Sequence, residues 1–485
     1  MYQLKGVAMP RTKIVCTIGP ATNDPDRMRA LMQAGMDLAR INFSHGDRAT
    51  HRETIATLRE VAKQERCLVG IIADLQGPKL RVGDIANEPI ELRKGETVFL
   101  SADVHSGRPD EIPVPHPELL RDLGAGQTLL LDDGNLALTV ERRVGVGRLA
   151  ARVVTGGRLT SHKGINVPGA RLTFSTLTEK DKQDAAFALK QGVDYFALSF
   201  VRRAADVGEL RHYLKTQGAE APSIIAKIEK PEALSHFDAI LAEADGIMVA
   251  RGDLGVETPA EEVPFHQKRL IRRCNESGKP VITATQMLQS MIEHPRPTRA
   301  EASDIANAIL DGTDAVMLSG ETAIGNYPIR STETMAVICA NAEAHLPTNR
   351  LVKCGKDCRE VVTESISSSA VAIANEVDAR AIVTATMSGT TAQMVARHRP
   401  SVPVIAVTPN ERTLFRLALV WGVVPVRVDE FKTTDAMVAT MVRAAHDAGL
   451  IAWGERAVLT AGIPFGQGKK TNMLKVHVVG ESEEI

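Results

Sequence analysis

The sequence predicts an α/β protein: a (β/α)8 barrel with a β-rich lid domain inserted after its third strand, then a C-terminal open α/β sheet domain. Three observations lead there. Short apolar strands alternate with amphipathic helices from Lys13 to Ile85. The texture then turns rich in glycine, proline and β-alternating pieces through Gly169. After Thr178 the strand–helix rhythm resumes, so three strands before the insertion and five after it make eight.

In the first part, strands are expected at Lys13–Ile18, Asp37–Asn42 and Cys67–Asp74, with helices at Asp24–Ala34 and Arg48–Gln64. In the insertion, Glu96–Leu100, Thr128–Leu131, Leu136–Glu141 and Arg148–Val154 read as mostly antiparallel strands. Gly77-Pro78 marks its entry and Val167-Pro168-Gly169 its exit, which suits a hinged lid. The remaining barrel strands are expected at Tyr195–Ser199, Ser223–Ile228, Ile247–Ala250, Val281–Ala284 and Ala315–Leu318. From about Pro347 a third unit begins, with a helix at Glu364–Asn375, a strand at Ala381–Thr386, a helix at Thr390–Arg397 and a strand at Val404–Thr408. It runs on to Lys475–Val479. The domains are therefore 1–80 with 174–346 for the barrel, 81–173 for the lid and 347–485 for the last unit.

Length agrees: 485 residues at ~150 per domain make about three domains. A net charge of −1 provides no basic field to gather nucleic acid or anionic membrane, and 4% aromatics leave few surfaces for base stacking. No apolar run approaches the ~20 residues of a membrane helix, and Met1–Gly6 lacks a signal-peptide core. A cytoplasmic protein is expected. The six cysteines (Cys16, Cys67, Cys274, Cys339, Cys354 and Cys358) are scattered without metal-ligand spacing and read as reduced thiols.

Two stretches carry the chemistry, Ala226-Lys227-Ile228-Glu229 and Val249-Ala250-Arg251-Gly252-Asp253. Each ends an apolar run about one strand–helix unit from the other, so a lysine and two carboxylates converge on the C-terminal rim, where such barrels place their active sites. A cation beside paired hard oxygen ligands suits Mg²⁺-assisted phosphoryl transfer. A structural ion pair is the alternative for any single Lys/Glu pair, but it explains two successive charged strand ends poorly. Gly145-Val146-Gly147 is too short for a nucleotide fingerprint. Gly462 to Lys469 is one residue too long for a P-loop and is followed by Lys470 instead of Ser or Thr.

Further strand ends read Arg40-Ile41-Asn42-Phe43-Ser44-His45-Gly46, Asp74-Leu75-Gln76-Gly77-Pro78-Lys79, Thr283-Ala284-Thr285-Gln286-Met287 and Ser319-Gly320-Glu321-Thr322. With Thr12–Pro20 and the run from His294 to Gly312, these motifs resemble the pyruvate kinase family over nearly the whole chain. The resemblance implies phosphoryl transfer from phosphoenolpyruvate to ADP, giving pyruvate and ATP. It implies that Glu229 and Asp253 chelate Mg²⁺ (or Mn²⁺), that Lys227 and Arg40 face the phosphoryl group, and that the N–H groups of Gly252 and Asp253 hold the substrate carboxylate. Thr285 falls near the enolate carbon. Taken singly, Arg40 also fits a rim salt bridge and Thr285 a helix N-cap. Two rivals remain: another barrel enzyme acting on pyruvate or phosphoenolpyruvate, such as an aldolase, and a silent metabolite sensor.

By the same resemblance, Asn42, His45, Arg81, Asp133 and Lys163 lie at the nucleotide and the lid. His45 reads as an orienting group, and Asp133 and Lys163 fit an Asp-Gly turn and a solvated loop equally well. Asn42, Ser44, Asp74 and the carbonyl of Leu75 match a monovalent-cation pocket. Potassium-requiring members carry Thr-Lys-Gly-Pro-Glu where this chain has Leu75-Gln76-Gly77-Pro78-Lys79. The Lys79 ammonium is therefore expected to replace K⁺, the alternative being an exposed hinge lysine. In the last unit, Thr386, Ser388, Gly389, Thr390 and Thr391 match an effector loop, with Lys469 and Lys470 as its source of positive charge. A phosphorylated effector is expected there, with a plain capped helix as the alternative. A homotetramer is expected because Arg296–Arg299 matches a subunit contact.

Overall fold

The computed structural model describes residues 10–102, 105–106, 108, 110–170, 172–346, 361–465 and 470–481. Eight parallel strands close into a barrel: β1 (Lys13–Ile18), β2 (Leu38–Asn42), β3 (Gly70–Asp74), β4 (Tyr195–Leu198), β5 (Ile224–Ile228), β6 (Gly246–Ala250), β7 (Val281–Ala284) and β8 (Ala315–Leu318). Each strand pairs with its neighbour in sequence, and Lys13 opposite Ala315 closes the ring. The second and third strands start later than the apolar runs suggest, because their ladder begins at Leu38 opposite Gly70. Asp37 instead accepts the Ile14 N–H at 2.9 Å, and the Cys67 N–H turns back to the Ala62 carbonyl.

Helix starts follow from short polar side chains that accept backbone N–H groups. Asp24 caps Pro25–Gln33, Asp47 caps Arg48–Gln64, and Thr178 with Asp181 forms a capping box on Glu179–Lys190. Strand residues then split by the period of two. Leu38, Ile72, Tyr195, Ile225, Met248, Ile282 and Met317 fill the barrel interior. Ile14, Ala39, Ile71, Phe196, Ile224 and Ile247 pack outward on the helices.

The insertion forms a six-stranded sheet in the order Ile165–Asn166, Thr128–Leu131, Leu136–Gly145, Arg148–Thr155, Thr97–Ser101 and Glu111–Pro113. All its pairs are antiparallel except the last. Gly145-Val146-Gly147, unsuited to a nucleotide loop, is the exposed tip of a hairpin with Gly147 at φ +66°. At the entry, Gly77 sits at φ +69°, and a Cβ there would come within 2.7 Å of the Phe200 ring. Only glycine fits that crossing.

The last unit is a five-stranded sheet ordered Val423–Arg427, Val404–Thr408, Ala381–Ala385, Arg456–Ala461 and Met473–Val478, the final strand antiparallel. It seals the bottom of the barrel. Leu419 joins the barrel interior, and buried Trp421 lies between Arg11 and Arg399 at 5.5 and 4.9 Å. Arg399 reaches Asp314 at 2.9 Å and Asn275 at 2.8 Å, pinning this sheet to the turn before β8. Cys16, Cys67, Cys274 and Cys339 are free thiols, and burial pushes Cys16 up to about 12. Cys354, Cys358 and Lys469 lie outside the described residues. Among the described residues, no helix is long and apolar enough to cross a membrane.

Beside Arg399, His398 is fully buried, and its pKa is drawn down to about 4 by burial and then by the Arg397 charge. Glu364 lies 3.6 Å from His398 but is held by Arg397. The unfolded chain protonates this histidine below about pH 6.5, the folded chain only near 4. The unfolded state thus binds more protons in that window, and stability falls as pH drops through it, by about 1.4 kcal/mol per pH unit. Melting temperatures measured between pH 7.5 and 4.5 are expected to decline for the wild type and to decline less steeply for His398→Gln.

Candidate active site

The barrel's alternation explains the site. Two residues beyond the apolar interior layer, the first five strands present a polar inward position: Thr17 after Val15, Arg40 after Leu38, Asp74 after Ile72, Ser199 after Ala197 and Lys227 after Ile225. One further step on β5 gives Glu229. A polar, charged layer therefore caps the apolar one at the C-terminal mouth.

Asp74 is the centre of this layer and is buried. Its Oδ2 accepts Arg40 Nε at 2.6 Å and its Oδ1 accepts Lys227 Nζ at 3.2 Å. Lys227 also donates to Ser199 Oγ at 2.8 Å and pairs with Glu229 at 3.0 Å. Ser199 in turn donates to the Leu75 carbonyl at 2.7 Å, and Arg40 reaches Thr17 Oγ1 at 3.1 Å. Burial works against the Lys227 ammonium, but Asp74 and Glu229 together outweigh it and lift its pKa above the ordinary lysine range. For Asp74, burial raises the pKa, and Lys227 with Arg40 more than reverse it, leaving a firm carboxylate.

Glu229 goes the other way. Burial raises its pKa, Lys227 opposes that, and the Asp253 charge raises it again. Its Oε2 accepts the Phe200 N–H at 2.7 Å. Asp253 stands exposed in the first turn of the helix Arg251–Glu257, and its side chain makes no hydrogen bond or ion pair among the described residues. Two carboxylates that strain against each other while one keeps free lone pairs fit a small divalent cation. Among the described residues no group of three or more acidic, His or Cys side chains could hold a metal. This pair would therefore supply part of a coordination shell that water and substrate oxygens complete.

Thr285 follows β7 at φ +69°, with Gln286 at φ +55°. A β-branched residue in the left-handed region is a strained position that its surroundings must hold. Thr285 is not a helix N-cap: the next helical turn, Gln289–Ile292, is preceded by Leu288. Its Oγ1 accepts the Gly252 N–H at 2.7 Å and donates to the Ala284 carbonyl at 2.7 Å. Arg251 grips the turn, donating to the Thr285 carbonyl at 2.8 Å and pairing with Asp304 at 2.5 Å.

Around the mouth, the Asn42 side chain accepts the Ser44 N–H at 3.1 Å, and the His45 N–H meets the Asn42 carbonyl at 3.3 Å. Burial, then the charges of Lys79, Arg81 and Arg40, lower the His45 pKa. Lys79 is half-buried and has no ion pair among the described residues. Burial and Arg81 lower its pKa, while Asp253 and the lid's Asp133 draw it up. The Arg81 N–H donates to His116 Nε2 at 3.1 Å. Asp133 is exposed at φ +54°, whereas Lys163 pairs with the neighbouring Asp132 at 2.7 Å. In the last unit, Gly389 at φ +89° starts the helix Thr390–Ala396 and donates to Thr386 Oγ1, Ser388 meets Thr390, and Thr391 meets Thr471 in the loop of Lys470.

Sequence reasoning missed Ser199, Phe200 and Arg251 as supports. Ser199 was within reach, since it stands two residues past Ala197 on the inward face. The other two act through a backbone N–H and a long-range contact that no local pattern announces.

Comparison with known proteins agrees with this layout. The family described as pyruvate kinase, barrel domain, matches residues 9–332, and the pyruvate kinase alpha/beta domain matches residues 364–477. A pyruvate kinase of Geobacillus stearothermophilus is 49% identical over 473 residues, covering 97% of this chain and 81% of that protein. One from Bacillus licheniformis is 46% identical over 475 residues, covering 98% and 81%. The crystal structure of a pyruvate kinase from Cryptosporidium parvum superposes with a TM-score of 0.90 at 37% identity, covering 97% of this chain and 96% of that one. With its barrel, its inserted sheet and its C-terminal sheet all accounted for, the chain belongs to the pyruvate kinase family.

Proposed function

We propose that the chain transfers the phosphoryl group of phosphoenolpyruvate to ADP, yielding pyruvate and ATP. The observation that carries this reading is the pair of cations, buried Lys227 and partly buried Arg40, locked by Asp74 at the mouth that also carries Glu229 and Asp253. Arg40 and Lys227 would hold the phosphate, and Lys227 would also neutralise the enolate as the P–O bond breaks. The transferring group is loose and anionic in the transition state, so preorganised positive charge is most of the catalysis. Glu229 and Asp253 would hold one Mg²⁺, or Mn²⁺, which when bound supplies further positive charge to the substrate's oxygens.

The N–H groups of Gly252 and Asp253 would take the substrate carboxylate, with the Gly252 N–H turning from Thr285 to the ligand. The freed Thr285 hydroxyl, or a water on it, would pass a proton to the enolate carbon. The lid, 81–173, would bring ADP down through Asp133, Lys163 and Arg81, with Asn42 and His45 at the rim. The loop of Thr386, Ser388, Gly389, Thr390, Thr391 and Lys470 would bind a phosphorylated effector. Exposed Ile324 beside the 289–292 turn, with the exposed run 293–296, supports assembly as a homo-oligomer, a tetramer by family resemblance.

Lys79 would take the place of a monovalent cation. Three of the four groups of the corresponding pocket already have a partner in the chain: Asp74 with Arg40 and Lys227, the Leu75 carbonyl with Ser199, and the Asn42 side chain with the Ser44 N–H. ATP formation with Mg²⁺ in tetramethylammonium buffer is expected to run equally fast with and without KCl, and Lys79→Glu is expected to create a KCl requirement. A strict KCl requirement in the wild type would remove the role given to Lys79 while keeping the enzyme. Lys227→Met is expected to lower kcat by about 10²–10³ with a melting transition still present, read by steady-state kinetics and calorimetry. Thr285→Ser should stay within a few-fold of wild type, whereas Thr285→Ala should slow deuterium entry into product pyruvate by about 10².

A further inference from the structure

A buried carboxylate that this mechanism leaves unused joins the lid to the metal-binding helix. Glu257 is the last residue of Arg251–Glu257, the helix whose first turn carries Gly252 and Asp253. Its Oε1 accepts Lys230 Nζ at 2.5 Å and the Asn166 side-chain amide of the inserted sheet at 2.9 Å. Its Oε2 is buried with no hydrogen-bond partner among the described residues.

Asn166 is well placed to hold the lid. It lies on Ile165–Asn166, which pairs with Thr128–Leu131 through Ile165 opposite Leu131 and Asn166 opposite Leu130. The turn Asp132–Gly134 follows immediately. Lys163, just upstream, closes the same corner by holding Asp132. On the barrel side, Lys230 follows Glu229 directly and lies 5.7 Å from the ring centre of Phe200, whose N–H holds Glu229.

We propose that the Asn166–Glu257 hydrogen bond is the latch that fixes the lid's Asp132–Gly134 edge against the helix Arg251–Glu257, where a Cβ on Gly134 would stand 3.8 Å from Val256, making both residues positioning groups for the nucleoside diphosphate. This rests on reading the lid as the ADP carrier. The chemistry suits a bond that opens and closes. An amide donor to an ionised, buried acceptor gives a strong, directional hydrogen bond. Because Asn166 is neutral and Lys230 already balances Glu257, the lid can leave without stranding a charge in the interior. A lysine or arginine at 166 would lack that freedom. Since Glu257 ends a helix of two turns, the latch acts on the same rigid piece that presents Asp253.

Asn166→Ala is expected to raise KM for ADP about tenfold, the cost of one hydrogen bond to a charged group. Binding of phosphoenolpyruvate with Mg²⁺ and no nucleotide, measured by calorimetry, should stay within twofold, because Arg40 and Lys227 are untouched. Asn166→Asp, which sets a second carboxylate against Glu257, should raise KM for ADP further than alanine does. On the Asn166→Ala background, Glu257→Gln should add little to that KM. An unchanged KM for ADP in both Asn166 variants, or an equal loss of phosphoenolpyruvate binding, overturns the latch. A wild type that forms no ATP overturns the reaction instead, so the two failures are distinct.

Discussion

The Asp74 carboxylate, gripped from both sides by Arg40 and Lys227, is the constraint that the rest of the active site leans on. A buried carboxylate alone is costly, and so is a buried lysine. Three strand ends from β2, β3 and β5 must therefore meet at fixed spacing for any of these charges to be tolerated. Breaking such a buried pair costs about 3–5 kcal/mol, against about 0–1 kcal/mol for surface pairs such as Arg412–Glu220. Only the buried set decides the geometry of the mouth. Because both cations are tied to Asp74, they are held in place before any ligand arrives.

What lies under that layer matters as much. Below Arg40 and Lys227 the barrel is filled by Leu38, Ile72, Ile225 and Met248, and its floor is closed by Leu419 of the last unit. Water cannot reach the cluster from beneath. Electrostatic interactions there are correspondingly stronger than in solvent. Arg399, stacked on Trp421 and bonded to Asp314, holds that floor in place. It lies three residues past the end of the helix begun by Gly389 and Thr390. Its bond to Asp314 ties this part of the last unit to the base of β8.

The fold was legible because its period is simple. Eight apolar runs with intervening amphipathic helices leave little alternative to a closed parallel barrel, and the insertion announced itself by losing the helical spacing. The place of Lys227, Glu229 and Asp253 at the barrel mouth was legible because strand ends are marked in sequence by the switch from apolar to charged. Thr285 shows where such reading stops. Its composition fits an N-cap, and nothing local reveals a backbone at φ +69° held by Arg251 from another strand end. Lys163 likewise reads as a free cation until the fold brings Asp132 to 2.7 Å. The Asn166–Glu257 contact spans 91 residues and two domains, so no local pattern could have disclosed it.

These pieces converge on Lys79. It sits just past the Gly77 crossing, where the chain leaves the barrel for the lid, and it feels charges from both sides. Asp253 on the barrel and Asp133 on the lid attract it, while Arg81 and Lys227 repel it. A lysine tethered at this place would be present without capture, at the cost of burial that depresses its pKa. Of the carboxylates that steady this lysine, Asp253 stands on the barrel and Asp133 on the inserted sheet, so its charge links the two electrostatically.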